Sequence, residues 1–319
     1  MHAVDNAGRR FSALDPAPCP IEGAGTSASA SPALLPLALP FITVLGDLSD
    51  ASDTALRRAA GLAAAHGARL RLLAFGALGD AVSAEQLPRL RWKARRIARL
   101  YQLPIEVGDT PARLSGLRAA LRPGELVVTH QRRASGLLAA WRGGPAAALA
   151  GRLPVPLLVV NEAGWRPYRQ VLAAVDLLAQ PECLARWACT VAGQAEVELL
   201  HVLRQARPGK ARFGHVAQPG LELDLRRHAA ALQRVVQSLG PHATRIRPTL
   251  ALGDEVAAEI LLRQPGAGGD ALIVIGRSTE APWLDALLGS VARSVLRATA
   301  HDVLVVPLSP GPKQRDRGD

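Results

Sequence analysis

Gly276, Gly289 and Ser290 are the residues whose types and spacing could do chemistry in this chain, and that chemistry is anion binding. Gly276 follows the apolar run Ala271 to Ile275, and after a loop the Gly289-Ser290 pair opens a segment with helical spacing, VARSVLRA. A strand running into glycine, followed by glycine and a hydroxyl at a helix start, shapes a backbone to hold a phosphate or carboxylate. Glycine admits positive φ and close backbone approach, first-turn amides carry the positive end of the helix dipole, and the serine hydroxyl adds a donor. Asp176 ends another apolar run, RQVLAAV, and is the carboxylate best placed to share that edge.

The elements that must position these residues occur twice. Residues 125–161 match the stretch ending at Pro307 without a gap at an offset of 146 residues: Leu126-Val127-Val128 against Leu272-Ile273-Val274, Gly143-Gly144 against Gly289-Ser290, and Leu158-Val159-Val160 against Leu304-Val305-Val306. Self-similarity at a fixed offset marks a tandem duplication. Each copy reads as strands alternating with helices. The first copy has FITVL, ARLRLLAF, LPIEV, ELVVT and PLLVV, and the second has RQVLAAV, AEVELLHV, ATRIRPTLAL, ALIVI and DVLVV. In the second copy Asp254 is expected to cap the helix that runs to Arg263. Apolar strands alternating with helices predict an α/β fold, a parallel sheet wrapped by helices. In such sheets ligands sit beyond the carboxyl ends of the strands where the winding reverses. With strand order 3-2-1-4-5, the strands ending at Asp176 and Gly276 are neighbours at that reversal.

The expected organisation is a disordered tail over 1–40, a first domain over 41–161, a linker over 162–168, a second domain over 169–308 and a disordered tail over 309–319. The amino-terminal stretch is rich in Ala, Ser, Pro and Gly. Arg9-Arg10 precede a weakly apolar segment, but Asp15, Glu22, Pro36 and Pro40 charge and break it, so a signal segment is not expected. No apolar run approaches the roughly 20 residues that span a bilayer. Three cysteines, Cys19, Cys183 and Cys189, lack metal spacing and fit a reduced cytoplasm. The net charge of +11 is carried almost wholly by arginine, lysine occurring only at 93, 210 and 313, as GC-rich coding produces whatever the partner. Charge alone therefore decides little.

Gly276, two residues, Thr279, nine residues, Gly289 and Ser290 resemble the nucleotide-binding signature of the universal stress proteins, with Thr279 standing at the middle glycine. Asp176 and Asp47 closing the first strands, the segments HGARLRLLAF and GQAEVELLHV, and the final VLVVP are similar as well. The resemblance covers about residues 41–308. It implies two tandem Rossmann-like domains of the adenine nucleotide alpha hydrolase-like type, each a five-stranded parallel sheet of order 3-2-1-4-5. It also implies ATP or another adenine nucleotide bound in the second domain by Asp176, backbone near Val202, Gly276, Gly289 and Ser290, to which Arg277 beside the loop is added as a candidate. A β-branched Thr279 resists the left-handed region by about 1–2 kcal/mol, which weakens binding roughly tenfold. Arg277 beside the loop and Arg293 one turn along the helix are the cations that could offset part of this. In the first domain His130 and Arg133 replace two glycines and only Gly143 survives, so that site is expected to be lost. The family pairs domains through their last strands, which implies an internal pseudo-dimer of Leu157–Val160 with Val303–Val306 and leaves a homodimer open.

Plainer readings stand beside these. Asp176, Asp47 and Ser290 could each simply cap a helix. His130 reads as a surface residue filling the space of a lost glycine, and for His66 and His201 the resemblance implies packing. PRLRWKARRIAR (88–99) reads as an amphipathic helix with Leu87, Leu90, Ala94, Ile97 and Tyr101 inward and arginines solvated, which leaves Trp92 off the stripe. Nucleic acid is accordingly not the expected partner, and a basic nucleic-acid binder and a ligand-free stress-linked scaffold are the alternatives to a nucleotide-binding regulator. No Walker A sequence, H-E-x-x-H, C-x-x-C or nucleophile elbow is present. At most slow ATP hydrolysis is expected, no catalytic residue is assigned, and the sequence leaves any metal unknown.

Overall fold

Strands buried on both faces are dominated by apolar residues: Leu157–Val160 is apolar throughout and Leu126–His130 opens with Leu126, Val127 and Val128, and all nine residues are buried, the polar Thr129 and His130 included. The computed structural model describes residues 2–4, 10–12, 39–47, 49–75, 87–108, 114–131, 144–161, 165–204, 220–266, 270–278 and 288–308. The expectations for Cys19, Arg133, Gly143, Thr279, the tail 309–319 and most of the tail 1–40 lie outside these residues.

The first half runs β3 (Phe41–Gly46), α1 (Asp50–His66), β4 (Arg69–Ala74), α2 (Leu87–Tyr101), β5 (Ile105–Gly108), α3 (Leu114–Ala120), β6 (Leu126–His130), α4 (Gly144–Arg152) and β7 (Leu157–Val160). The second runs β8 (Gln170–Ala174), α5 (Pro181–Ala192), β9 (Glu196–Arg204), α6 (Leu221–Ser238), a 3₁₀ turn, β10 (Ile246–Gly253), α7 (Val256–Leu262), β11 (Ala271–Ser278), α8 (Ser290–Ala298) and β12 (Asp302–Leu308). Two short strands, β1 (His2–Val4) and β2 (Arg10–Ser12), precede both, in the stretch where the composition predicts disorder. β1 pairs parallel with β10 and lengthens the sheet at that edge.

Together they form one sheet in the order β2-β1-β10-β9-β8-β11-β12-β7-β6-β3-β4-β5. Within each half the order is third, second, first, fourth, fifth strand, all parallel. The halves join where β12 and β7 pair antiparallel, Val303 opposite Val159, Leu304 opposite Leu158 and Val305 opposite Leu157. Two apolar layers, one on each face of the sheet, run across that join. One holds Leu62 and Leu70 with Leu184 and Val274, the other Leu117 and Val159 with Ile260 and Ile273.

Local signals set the helix ends. Ser49 accepts the amide of Ser52 at the start of α1, Asp50 and Asp53 face the positive end of its dipole, and Gly67 closes it at φ 63. In α2 the buried side chains are Leu90, Ala94 and Ile97, three of the five positions read from the sequence as the inward stripe, and Leu87 and Tyr101 are partly buried against the same core. Asp254 is not the cap of α7, because Glu255 holds that position without a side-chain hydrogen bond. Two residues of the expected linker are packed, Trp165 against the core and Tyr168 buried within it, while Arg166 and Pro167 between them are exposed.

Candidate functional site

β8 and β11 lie side by side at the reversal of winding, and their pairing stops at Ala174 and Ile275. β9 continues to Arg204, past its last partner on β8, Leu200, so its edge stands open beyond that point. The result is a cavity of about 310 Å³ at the carboxyl edge of the second half. Asp176, Val202 and Gly276 line it, with Leu184 of α5 and Val291 of α8 closing its sides. The position is the one where open α/β sheets hold ligands.

Asp176 is exposed, and its Oδ1 accepts the Leu178 amide at 3.0 Å, an Asx turn. It is not the cap of α5, since Gln180 occupies that position in the left-handed region. Gly276 lines the cavity for a different reason from the one its type suggests. Its φ is not positive, and a Cβ there would fall 2.5 Å from Leu308 Cδ1 and 3.3 Å from Leu184 Cδ1. Glycine is required by the leucines packed over it.

Arg277 corrects the sequence reading. It is buried, does not line the cavity, and donates from Nη2 to the Leu153 carbonyl at 2.9 Å in the first half. Successive strand residues face opposite sides, so a side chain next to Gly276 cannot share its face. Gly289 and Ser290 are exposed at the start of α8 and do not line the cavity, although Val291 beside them does. Among the described residues no side chain caps that helix, and Arg293 is turned back to donate to the Leu288 carbonyl at 2.9 Å.

His201 and Arg204 line the cavity although neither was singled out for it in the sequence. The His201 ring stacks on His228 with centroids 5.3 Å apart, and its Nδ1 lies 3.0 Å from the Val175 carbonyl. Burial pushes the His201 pKa below its ordinary value and His228 adds to this, while the carbonyl bond and Asp176 oppose it. Its place on β9 three residues before the exposed end was the available signal; the stacking partner on α6 was not legible.

Among the described residues the first half lacks this arrangement. His130, at the position of Gly276, is buried rather than on the surface, and its Nε2 lies 3.7 Å from Asp47 Oδ2. Asp47 also accepts from the amide and hydroxyl of Ser49. A histidine ring facing an aspartate thus stands where the second half has a glycine and an exposed aspartate. A larger cavity of about 560 Å³ lies at the opposite, amino edge of the second half. Its charges are spent on structure, Arg247 pairing with Glu198 at 2.6 Å and Arg245 donating to the Ala195 carbonyl at 3.2 Å. Among the described residues no three His, Cys, Asp or Glu side chains converge as a metal site, and no helix is long and apolar enough to cross a membrane.

Residues 167–307 match the model of the Universal stress protein family. The second half is a universal stress protein domain. The fold likeness extends beyond this domain. A universal stress protein from Archaeoglobus fulgidus DSM 4304 is similar with a TM-score of 0.59 at 16% identity, over 84% of this chain and 96% of its own. A candidate universal stress protein from Pseudomonas aeruginosa UCBPP-PA14 has a TM-score of 0.58 at 18% identity, over 85% and 94%. A functionally unknown protein from Pseudomonas aeruginosa PAO1 has a TM-score of 0.56 at 17% identity, over 85% and 94%. Such coverage takes in strands of both halves, so the half preceding the universal stress protein domain shares the fold of these chains. No curated protein sequence matches the chain.

Proposed function

We propose that the universal stress protein domain binds ATP or another adenine nucleotide weakly in the cavity at its carboxyl edge, and that the protein is a stress-response regulator acting by binding. The observation that carries this reading is the convergence of Asp176, Val202 and Gly276 on one cavity at the reversal of winding. Its volume is at the small end of ligand pockets, suited to a nucleoside with its phosphates outside. Asp176 Oδ2 is available to a ribose hydroxyl, and the exposed β9 backbone near Val202 to the base edge. The phosphates would lie toward the uncapped start of α8, at Gly289 and Ser290, with exposed Arg204 as the cation in place of Arg277. Occupancy would alter the surface offered to a protein partner. The reading contains no catalytic step beyond slow hydrolysis, names no metal and places the protein in the cytoplasm.

Titration with magnesium ATP, followed by thermal unfolding, tests it. Ligand at a hundredfold excess over Kd stabilises by about 2.7 kcal/mol, and Asp176→Ala should reduce the shift. An unchanged transition at millimolar nucleotide would overturn it. One observation favours a second reading, a ligand-free interaction module: the space over Gly276 is already taken by Leu308.

A further inference from the structure

Trp92 is 59% exposed on α2, an exposure that its helix's amphipathic design does not require. Trp92, Arg95, Arg96 and Arg99 fall at i, i+3, i+4 and i+7, which places them on one helical stripe about 10 Å long. Arg57 of α1 faces the same open groove, and Leu100, 62% exposed, completes it. The Arg96 guanidinium lies over the Trp92 ring, 5.6 Å from its centroid. Among the described residues none of these four arginines has a carboxylate partner, whereas neighbouring Lys93 is paired with Asp53 at 2.7 Å. The groove therefore concentrates uncompensated positive charge around a flat apolar face.

We propose that this groove binds single-stranded nucleic acid, one base stacking on Trp92 and the flanking phosphates taking the guanidinium groups of Arg57, Arg95, Arg96 and Arg99. The chemistry selects that partner over an acidic peptide. Carboxylates would use the charges but have no use for an exposed indole, while an unpaired base has a π face and a phosphate on either side. Arginine in place of lysine adds planar groups that both stack and bind phosphate through two donors. The site lies in the first half, independent of the nucleotide cavity.

Fluorescence anisotropy with labelled ribo- and deoxyribo-oligonucleotides of about 16 nucleotides tests this on the full chain. Four phosphate contacts predict that the logarithm of affinity falls with the logarithm of salt concentration at a slope of about −3. Trp92→Ala should weaken binding by about tenfold with little change in slope, and Arg95→Gln with Arg99→Gln should reduce the slope by about 1.4. These side chains are exposed, so an unchanged thermal transition verifies that the variants fold. Equal affinity for the two sugars assigns recognition to stacking and phosphate alone, and preference for the ribo form assigns it to RNA; both support the site. Absence of binding at low salt, insensitivity to both variants, equal affinity for a duplex, or equal competition by polyglutamate would each overturn it.

Discussion

Arg58 of α1 and Asp302 of β12 meet across the two halves with Nε 2.9 Å from Oδ2, both side chains fully buried. The contact is coulombic rather than an aligned hydrogen bond at that nitrogen. The rest of the pair is well satisfied. Arg58 Nη1 donates to the Arg166 carbonyl at 2.6 Å, and its guanidinium lies 4.8 Å from the Tyr168 ring centroid. Tyr168 donates to Asp302 Oδ2 and the Asn161 amide to Oδ1, each at 2.8 Å. The segment between the halves thus seals the charge pair that ties them.

Removing one partner of this pair leaves the other charge buried alone. Arg58→Ala or Asp302→Ala should each cost about 3–5 kcal/mol in urea unfolding, whereas Arg58→Met combined with Asp302→Leu should recover most of the loss. Single variants within 1 kcal/mol of wild type would mean that water reaches the pair.

Gly61 sits inside α1, where alanine normally gains about 1 kcal/mol. A Cβ there would fall 2.1 Å from Trp165 ring atoms, so the indole or the helix must move. Gly61→Ala should instead destabilise by about 1–3 kcal/mol, with a red shift of tryptophan emission. In a Trp165→Ala background the same change should stabilise.

His201 gives a pH dependence of defined sign. Because its folded pKa is lowered from 6.5, the unfolded chain takes up the proton first as pH falls. The stability it contributes is present above 6.5 and is lost as pH drops toward the folded value. His66 and His242 are lowered as well and act in the same direction. The urea midpoint should fall between about pH 7 and about pH 5, and His201→Gln should lessen the fall. An identical fall in that variant would exclude His201 as a source.

Cys189 is buried, and burial pushes its thiol up to about 11 against the lowering by Arg245. At pH 8 about one molecule in a thousand carries the thiolate. An aromatic disulfide reagent should therefore modify Cys189 only on unfolding. Reaction at the rate of a free thiol would show that the α5 side of the sheet opens readily.

The sequence by itself determined the alternation of strand and helix, most of the inward stripe of α2, and the placing of Asp176 and Gly276 just after strands. These follow from local periodicity and turn chemistry, which survive in any tertiary context. It also held the information that Arg277 faces away from Gly276, since strand alternation is local, although the spacing of the signature draws attention to the loop instead. Only the tertiary structure decided why residue 276 is glycine, because Leu308 and Leu184 reach it from other elements. The same holds for the stacking of His201 on His228, the burial of His130 beside Asp47, and the closing of Arg58 onto Asp302. Each joins residues far apart in the chain, and their chemistry is set by what excludes water around them, a quantity that no local pattern encodes.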